Sequence, residues 1–175
     1  LGGALLTTFQ SLVTLYDCVF ENNHARNRMG VGSAIYADDG TLAAINCAFV
    51  NNSCGSGPVY TNGAVLSFFN CTFANNRSTG DGAPAGALAL AFNDHVSPVV
   101  DCTFVDNFGS NQGAAFENQE GTAIVVNCTF DSNTTSDFGG GTVINIYFAT
   151  MELTSCTFTD NDYVGTQDTQ AGAVM

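Results

Sequence analysis

The chain has 175 residues, among them 19 Gly and 14 Phe, with no Trp and no Lys. Three Arg stand against 16 carboxylates, for a formal net charge of −13; this argues against nucleic acid as a partner, because such affinity comes from cations neutralising phosphates, and against adhesion to anionic lipid. No apolar run approaches the roughly 20 residues of a membrane span, so direct membrane insertion is not expected.

The predicted elements recur along the chain. The first unit opens at Gly3-Ala4-Leu5, passes through Val13 and Leu15 to Asp17, and closes on Cys18-Val19-Phe20 with Asn23 beyond. The second runs from Ser33-Ala34-Ile35 through Leu42, Ala44 and Asn46 to Cys47-Ala48-Phe49 and Asn52. The third runs from Gly57-Pro58-Val59 through Leu66, Phe68 and Asn70 to Cys71-Thr72-Phe73 and Asn76. The fourth takes Gly86-Ala87-Leu88, Ser97, Val99, Asp101, Cys102-Thr103-Phe104 and Asn107. The fifth takes Gly113-Ala114-Ala115, Ala123, Val125, Asn127, Cys128-Thr129-Phe130 and Asn133. The sixth takes Gly141-Thr142-Val143, Met151, Leu153, Ser155, Cys156-Thr157-Phe158 and Asn161. A seventh opening, Gly172-Ala173-Val174, meets the end of the sequence at Met175.

Successive repeat cysteines are 29, 24, 31, 26 and 28 residues apart. A period of this length marks a repeat architecture. The step from the small residue of each opening to its Cys is nearly constant, and the length variation falls between each Asn and the next opening. Stacking fixes strands and pushes insertions into one loop, which is how a solenoid behaves. Alternating apolar positions before each Cys mark a strand with one buried face, and the Asx or Ser before Cys marks a bend. The expectation is an all-β, right-handed parallel β-helix forming one domain over 1–175, with about six coils of three short strands. Phe20, Phe49, Phe73, Phe104, Phe130 and Phe158 should stack inside the rod. Asn23, Asn52, Asn76, Asn107, Asn133 and Asn161 should form a ladder at a turn, satisfying backbone groups. After each small residue come two apolar positions, such as Ile35-Tyr36 and Val143-Ile144. Either a local bend buries both, or one forms an exposed flank that binds a partner.

The two alternating motifs, Gly-Gly-Ala-aliphatic type and Phe-x-x-Asn, resemble the repeats of the chlamydial polymorphic outer-membrane proteins. They are also similar to pectin-lyase-like right-handed β-helix proteins. The resemblance spans essentially the whole chain and implies a secreted or surface-exposed β-helix, often an adhesin or passenger domain. The Cys two residues before each ladder Phe departs from that pattern.

Candidate sites are few. Cys18, Cys47, Cys71, Cys102, Cys128 and Cys156 should form one file, either reduced or bridged between adjacent coils. A tetrahedral metal site does not suit a linear file. Cys54 falls outside the pattern, in the variable loop of the second coil, and reads as a free loop thiol or an intermolecular bridge. Asp38, Asp39, Asp94, Glu117 and Glu120 read as solvated turn residues, with Ca²⁺ bridging adjacent coils as the alternative; no other cofactor is implied. Sequons place possible glycosylation at Asn51, Asn70 and Asn127, while Asn76 and Asn133 carry sequons but belong to the ladder. Arg26, Arg28 and Arg77 are the only Lys or Arg residues, and no carboxylate pair at a set separation marks a glycosidase, so no catalytic residue is assigned. Thr72, Thr103, Thr129 and Thr157 form a partial outward file, with ordinary β-propensity as its reading and ice binding as the minor alternative.

The function expected is an extracellular or cell-surface structural or adhesive module, part of a filament or appendage. Other subunits or flanking domains would cover its open ends, since an uncapped solenoid end is an unpaired edge. A carbohydrate-binding or carbohydrate-cleaving β-helix is the alternative, with glycans as partners.

Overall fold

The computed structural model describes residues 3–26, 30–80, 84–92, 94–136 and 140–165. These residues form strands and turns, with no helix among them. Four parallel sheets run along the molecule, named A to D in the order the chain meets them. Sheet A contains Leu5–Thr8, Ile35–Asp38, Val59–Asn62, Leu88–Ala91, Phe116–Gln119 and Val143–Ile146. Sheet B holds the six strands before the repeat cysteines, from Leu12–Tyr16 to Thr150–Thr154. Sheet C holds the six three-residue strands around the ladder Phe, from Val19–Glu21 to Thr157–Thr159. Sheet D is a five-strand addition to the expected three strands per coil, made of two-residue strands from Ser53–Cys54 to Asp162–Tyr163. It forms because the chain stays extended for two residues past each ladder Asn before the variable segment begins.

Two rows of left-handed backbone make the bends around sheet C. Asp17, Asn46, Asn70, Asp101, Asn127 and Ser155 have φ between 51° and 55° at the bend from B to C. Asn22, Asn51, Asn75, Asp106, Ser132 and Asp160 have φ between 49° and 56° at the bend from C to D. Short Asx side chains tolerate this region best among residues with a Cβ, which explains the composition of both rows.

The core is a set of in-register files. The ladder Phe rings stack between successive coils at 5.2, 4.8, 4.6, 4.8 and 4.8 Å, with interplanar angles from 3° to 12°. That spacing is the separation of adjacent strands. Phe68 of sheet B meets Phe49 and Phe73 edge-on at 6.0 and 5.3 Å. The Asn ladder is satisfied on every side. Asn107 Nδ2 donates to Asn133 Oδ1 at 2.9 Å and to the Phe73 carbonyl at 2.9 Å. Its Oδ1 accepts both the backbone N–H and the amide of Asn76 at 3.0 Å.

In the fifth coil the small position is Ala115, one residue later than the sequence pattern assigns. The Leu88 N–H donates to the Ala115 carbonyl, and Leu88 pairs with Phe116. The alternative register would turn Phe116 outward and Glu117 into the apolar core, since a one-residue slip exchanges the two faces.

The two apolar positions after the small residue follow regular strand alternation, without the bend that was one expectation. Ile35, Val59, Leu88, Phe116 and Val143 face the core. Their neighbours Tyr36, Ala89, Glu117 and Ile144 face outward and are nevertheless buried. Backbone at or just before an opening passes close over three of them, at Gly32 by Tyr36, at Gly57 by Ala89 and at Ala85 by Glu117, whereas Leu6, the equivalent residue of the first coil, is exposed. A Cβ on Gly32, where φ is +62°, would lie 2.7 Å from the Tyr36 Cβ, and one on Gly57 would lie 3.1 Å from the Ala89 Cβ. The seventh opening, Gly172-Ala173-Val174, lies outside the described residues, as does Arg28.

Candidate functional site

Two cavities open on the outside of the solenoid. The first begins at the corner between sheets A and B. Each coil turns that corner in left-handed backbone: φ is 47° at Phe9, 58° at Asp39, 77° at Gly63, 51° at Phe92, 58° at Glu120 and 57° at Tyr147. Asp and Gly suit this geometry. An aromatic residue there costs on the order of 1 kcal/mol and gains nothing by burial, for Phe92 is 58% exposed and Tyr147 57%. Phe92, Glu120 and Tyr147 occupy the corner on three successive coils, so the two aromatic positions lie about 10 Å apart along the rod with Glu120 at the position between them. With Tyr60, Pro84, Gln112 and Gln119 they line a cavity of about 390 Å³. Its walls offer flat apolar faces and its edges offer amide and carboxylate groups.

Glu117 lies behind that lining. It is 0% exposed on the outer face of sheet A. Its Oε2 accepts the Ala85 N–H at 3.1 Å, and its Oε1 accepts from the Gln119 amide. Burial pushes its carboxyl up to about 7, against the smaller opposing effect of those two hydrogen bonds. Reading it as a solvated turn residue is therefore incorrect: it lies in a strand, beneath the backbone at Ala85. Burial, followed by the nearby Tyr36 and Glu117, pushes the Tyr60 phenol up to about 12.

The second cavity lies on the outer face of sheet D. The residue after each ladder Asn points outward there, and the register brings His24, Ser53, Arg77 and Phe108 together on successive coils. His24 Nδ1 is 2.7 Å from Ser53 Oγ, and the Arg77 guanidinium lies 3.8 Å over the Phe108 ring. His24, Ser53 and Arg77 line a cavity of about 400 Å³ together with Arg26, Cys54 and Thr79. Cys54 is in a strand of sheet D, 4% exposed, so placing it in the loop was incorrect. Its side chain faces inward because it shares the inward phase of Ser78. Burial pushes its thiol up.

The remaining candidates are dispersed. Asp38 accepts from Asn62 Nδ2 at 2.7 Å, and Asp94 lies 3.1 Å from His95. Asp39 and Glu120 occupy corners three coils apart, on the order of 14 Å. Among the described residues, no group of three or more His, Cys, Asp or Glu side chains is placed to hold a metal ion. All seven cysteines are free thiols, and the six of the file back sheet C. Asn51, Asn70 and Asn127 are exposed, whereas Asn76 and Asn133 are buried in the ladder. Thr72, Thr103, Thr129 and Thr157 share one outward file with Val19 and Ala48.

Sequence reasoning missed Phe92, Gln112, Gln119, Tyr147, His24 and Ser53. A signal existed for some of them. Phe92 and Tyr147 sit where other coils carry Asp39 and Gly63, and an aromatic residue at a turn position is conspicuous. His24, Ser53 and Arg77 share the position after the ladder Asn. Tyr60 holds the second of the two positions after the small residue, one reading of which was an exposed flank that binds a partner; Gln112, just before the fifth opening, gave no signal.

A family model described as a right-handed β-helix region matches residues 2–174. No curated protein and no solved structure matches the chain.

Proposed function

The chain belongs to the right-handed β-helix family, and from that premise we propose that it is an adhesive β-solenoid module, working outside the cell or at its surface and binding a neutral carbohydrate. The observation that carries this reading is the pair of exposed rings, Phe92 and Tyr147, held in unfavourable left-handed corners on either side of Glu120. Aromatic faces stack on the apolar C–H face of a sugar ring, and the Gln and Glu side chains can exchange hydrogen bonds with hydroxyls. Glu120 at the lining, with no Arg among the described lining residues, favours a neutral ligand over an anionic one. The acidic, Lys-free composition supports an extracellular setting. Among the described residues, no helix is long and apolar enough to cross a membrane.

We take binding, not cleavage, as the activity, because Glu117, the one carboxyl among the described residues held near neutrality, is enclosed with both oxygens engaged. The kinship to polymorphic outer-membrane repeats, and other subunits or flanking domains as partners, belong to the same reading. Binding to an array of neutral oligosaccharides tests the proposal. Saturable binding that weakens at least tenfold in Tyr147→Ala and in Phe92→Ala is expected. Absence of any neutral glycan ligand, or binding indifferent to both substitutions, would overturn it, and release of shorter sugars during incubation would replace binding with hydrolysis or lysis.

A further inference from the structure

We propose that the cavity on the outer face of sheet D binds an oxyanion: a phosphate, sulfate or carboxylate group. This site is separate from the aromatic cleft, and the proposal stands without it.

The first observation is where the cations are. The sequence contains three Arg and no Lys against 16 carboxylates. Two of those Arg, Arg26 and Arg77, line one cavity of about 400 Å³, together with His24. With carboxylates in fivefold excess, each guanidinium has abundant acidic partners to choose from. Among the described residues, however, neither is paired with one. Two like charges are instead held at one cavity, and an arrangement that costs repulsion without an anion is relieved when an anion enters.

The second observation is preorganisation. Arg77 stacks at 3.8 Å on Phe108 from the next coil, which fixes the plane of its guanidinium while leaving its N–H donors free. Ser53 Oγ, 2.7 Å from His24 Nδ1, places a hydroxyl beside the cations, and the Thr79 hydroxyl, which donates to the Cys54 carbonyl at 3.4 Å, lies at the same lining. The donors come from three coils of a stacked, in-register frame, so little has to be ordered when a ligand arrives. The chemistry offered is charge-assisted N–H and O–H donation, which oxyanions accept.

Titration calorimetry of the full chain at pH 7 and constant ionic strength provides the test, with sodium sulfate, sodium phosphate and sodium glucuronate as probes and chloride as the reference salt. Saturable binding of at least one probe is expected, at least tenfold weaker in Arg26→Gln and in Arg77→Gln. The preferred probe tells whether tetrahedral ester-type anions or planar carboxylates fill the site. Should Arg77→Gln fail to fold, Arg26→Gln decides alone, because Arg26 is exposed. No saturable binding of any probe, or equal binding by the Arg26→Gln variant, would overturn the proposal.

Discussion

Glu117 shows how one position can reverse the usual effect of pH. Its carboxyl is raised by burial from an ordinary 4.5 to about 7, so between those values the folded chain holds a proton that the unfolded chain has released. Stability contributed by this group therefore falls as pH rises through that window and is flat above it, a loss of up to about 3 kcal/mol. Glu117→Gln keeps an acceptor for the Ala85 N–H and removes the ionisation. Its unfolding free energy should exceed that of the parent at pH 8 and converge toward it near pH 4, measured by urea denaturation. A constant difference across that range would show that the carboxyl is not held neutral. The corner aromatics teach the complementary lesson. Where Asp, Asn or Gly occupies a left-handed corner, local backbone preference suffices as the reason, but at Phe92 and Tyr147 it does not.

At the scale of elements, the files make each coil depend on the two beside it. Phe104 is fully buried and stacks on Phe73 at 4.6 Å and on Phe130 at 4.8 Å, while Phe20 in the first coil is half-buried and stacks on Phe49 alone among the ladder rings. Phe104→Ala should cost about 3–5 kcal/mol, because neighbours pinned by strand pairing cannot collapse into the space. Phe20→Ala should cost clearly less, and comparable thermal shifts for the two would contradict this account of the ladder. The alternation along sheets B and C, and the Asx residues at their bends, could be read directly from the sequence. The fourth sheet could not, since two-residue strands carry no periodicity. Nor could the fifth coil's register, where Gly113-Ala114-Ala115 offers two equally small residues and only the burial of Phe116 against the exclusion of Glu117 chooses between them.

Across the whole molecule, charge is distributed very unevenly. A net −13 is spread mostly over turns and outward faces, while Arg26 and Arg77 share one cavity. Self-repulsion should make the fold sensitive to screening, so the thermal midpoint should rise between about 0.01 M and about 1 M NaCl as the Debye length shrinks; a midpoint that falls would contradict it. The sequence by itself determined the solenoid, its period, the Phe, Cys and Asn files and the place where loops vary, because each of these repeats and stacking amplifies whatever repeats. Tertiary structure alone decided which single, unrepeated residues meet. It enclosed Glu117 beneath the backbone at Ala85, set Phe92 and Tyr147 around a cleft and brought Arg26 and Arg77 to one cavity. Those residues are far apart along the chain and become neighbours only when successive coils are laid about 4.8 Å apart.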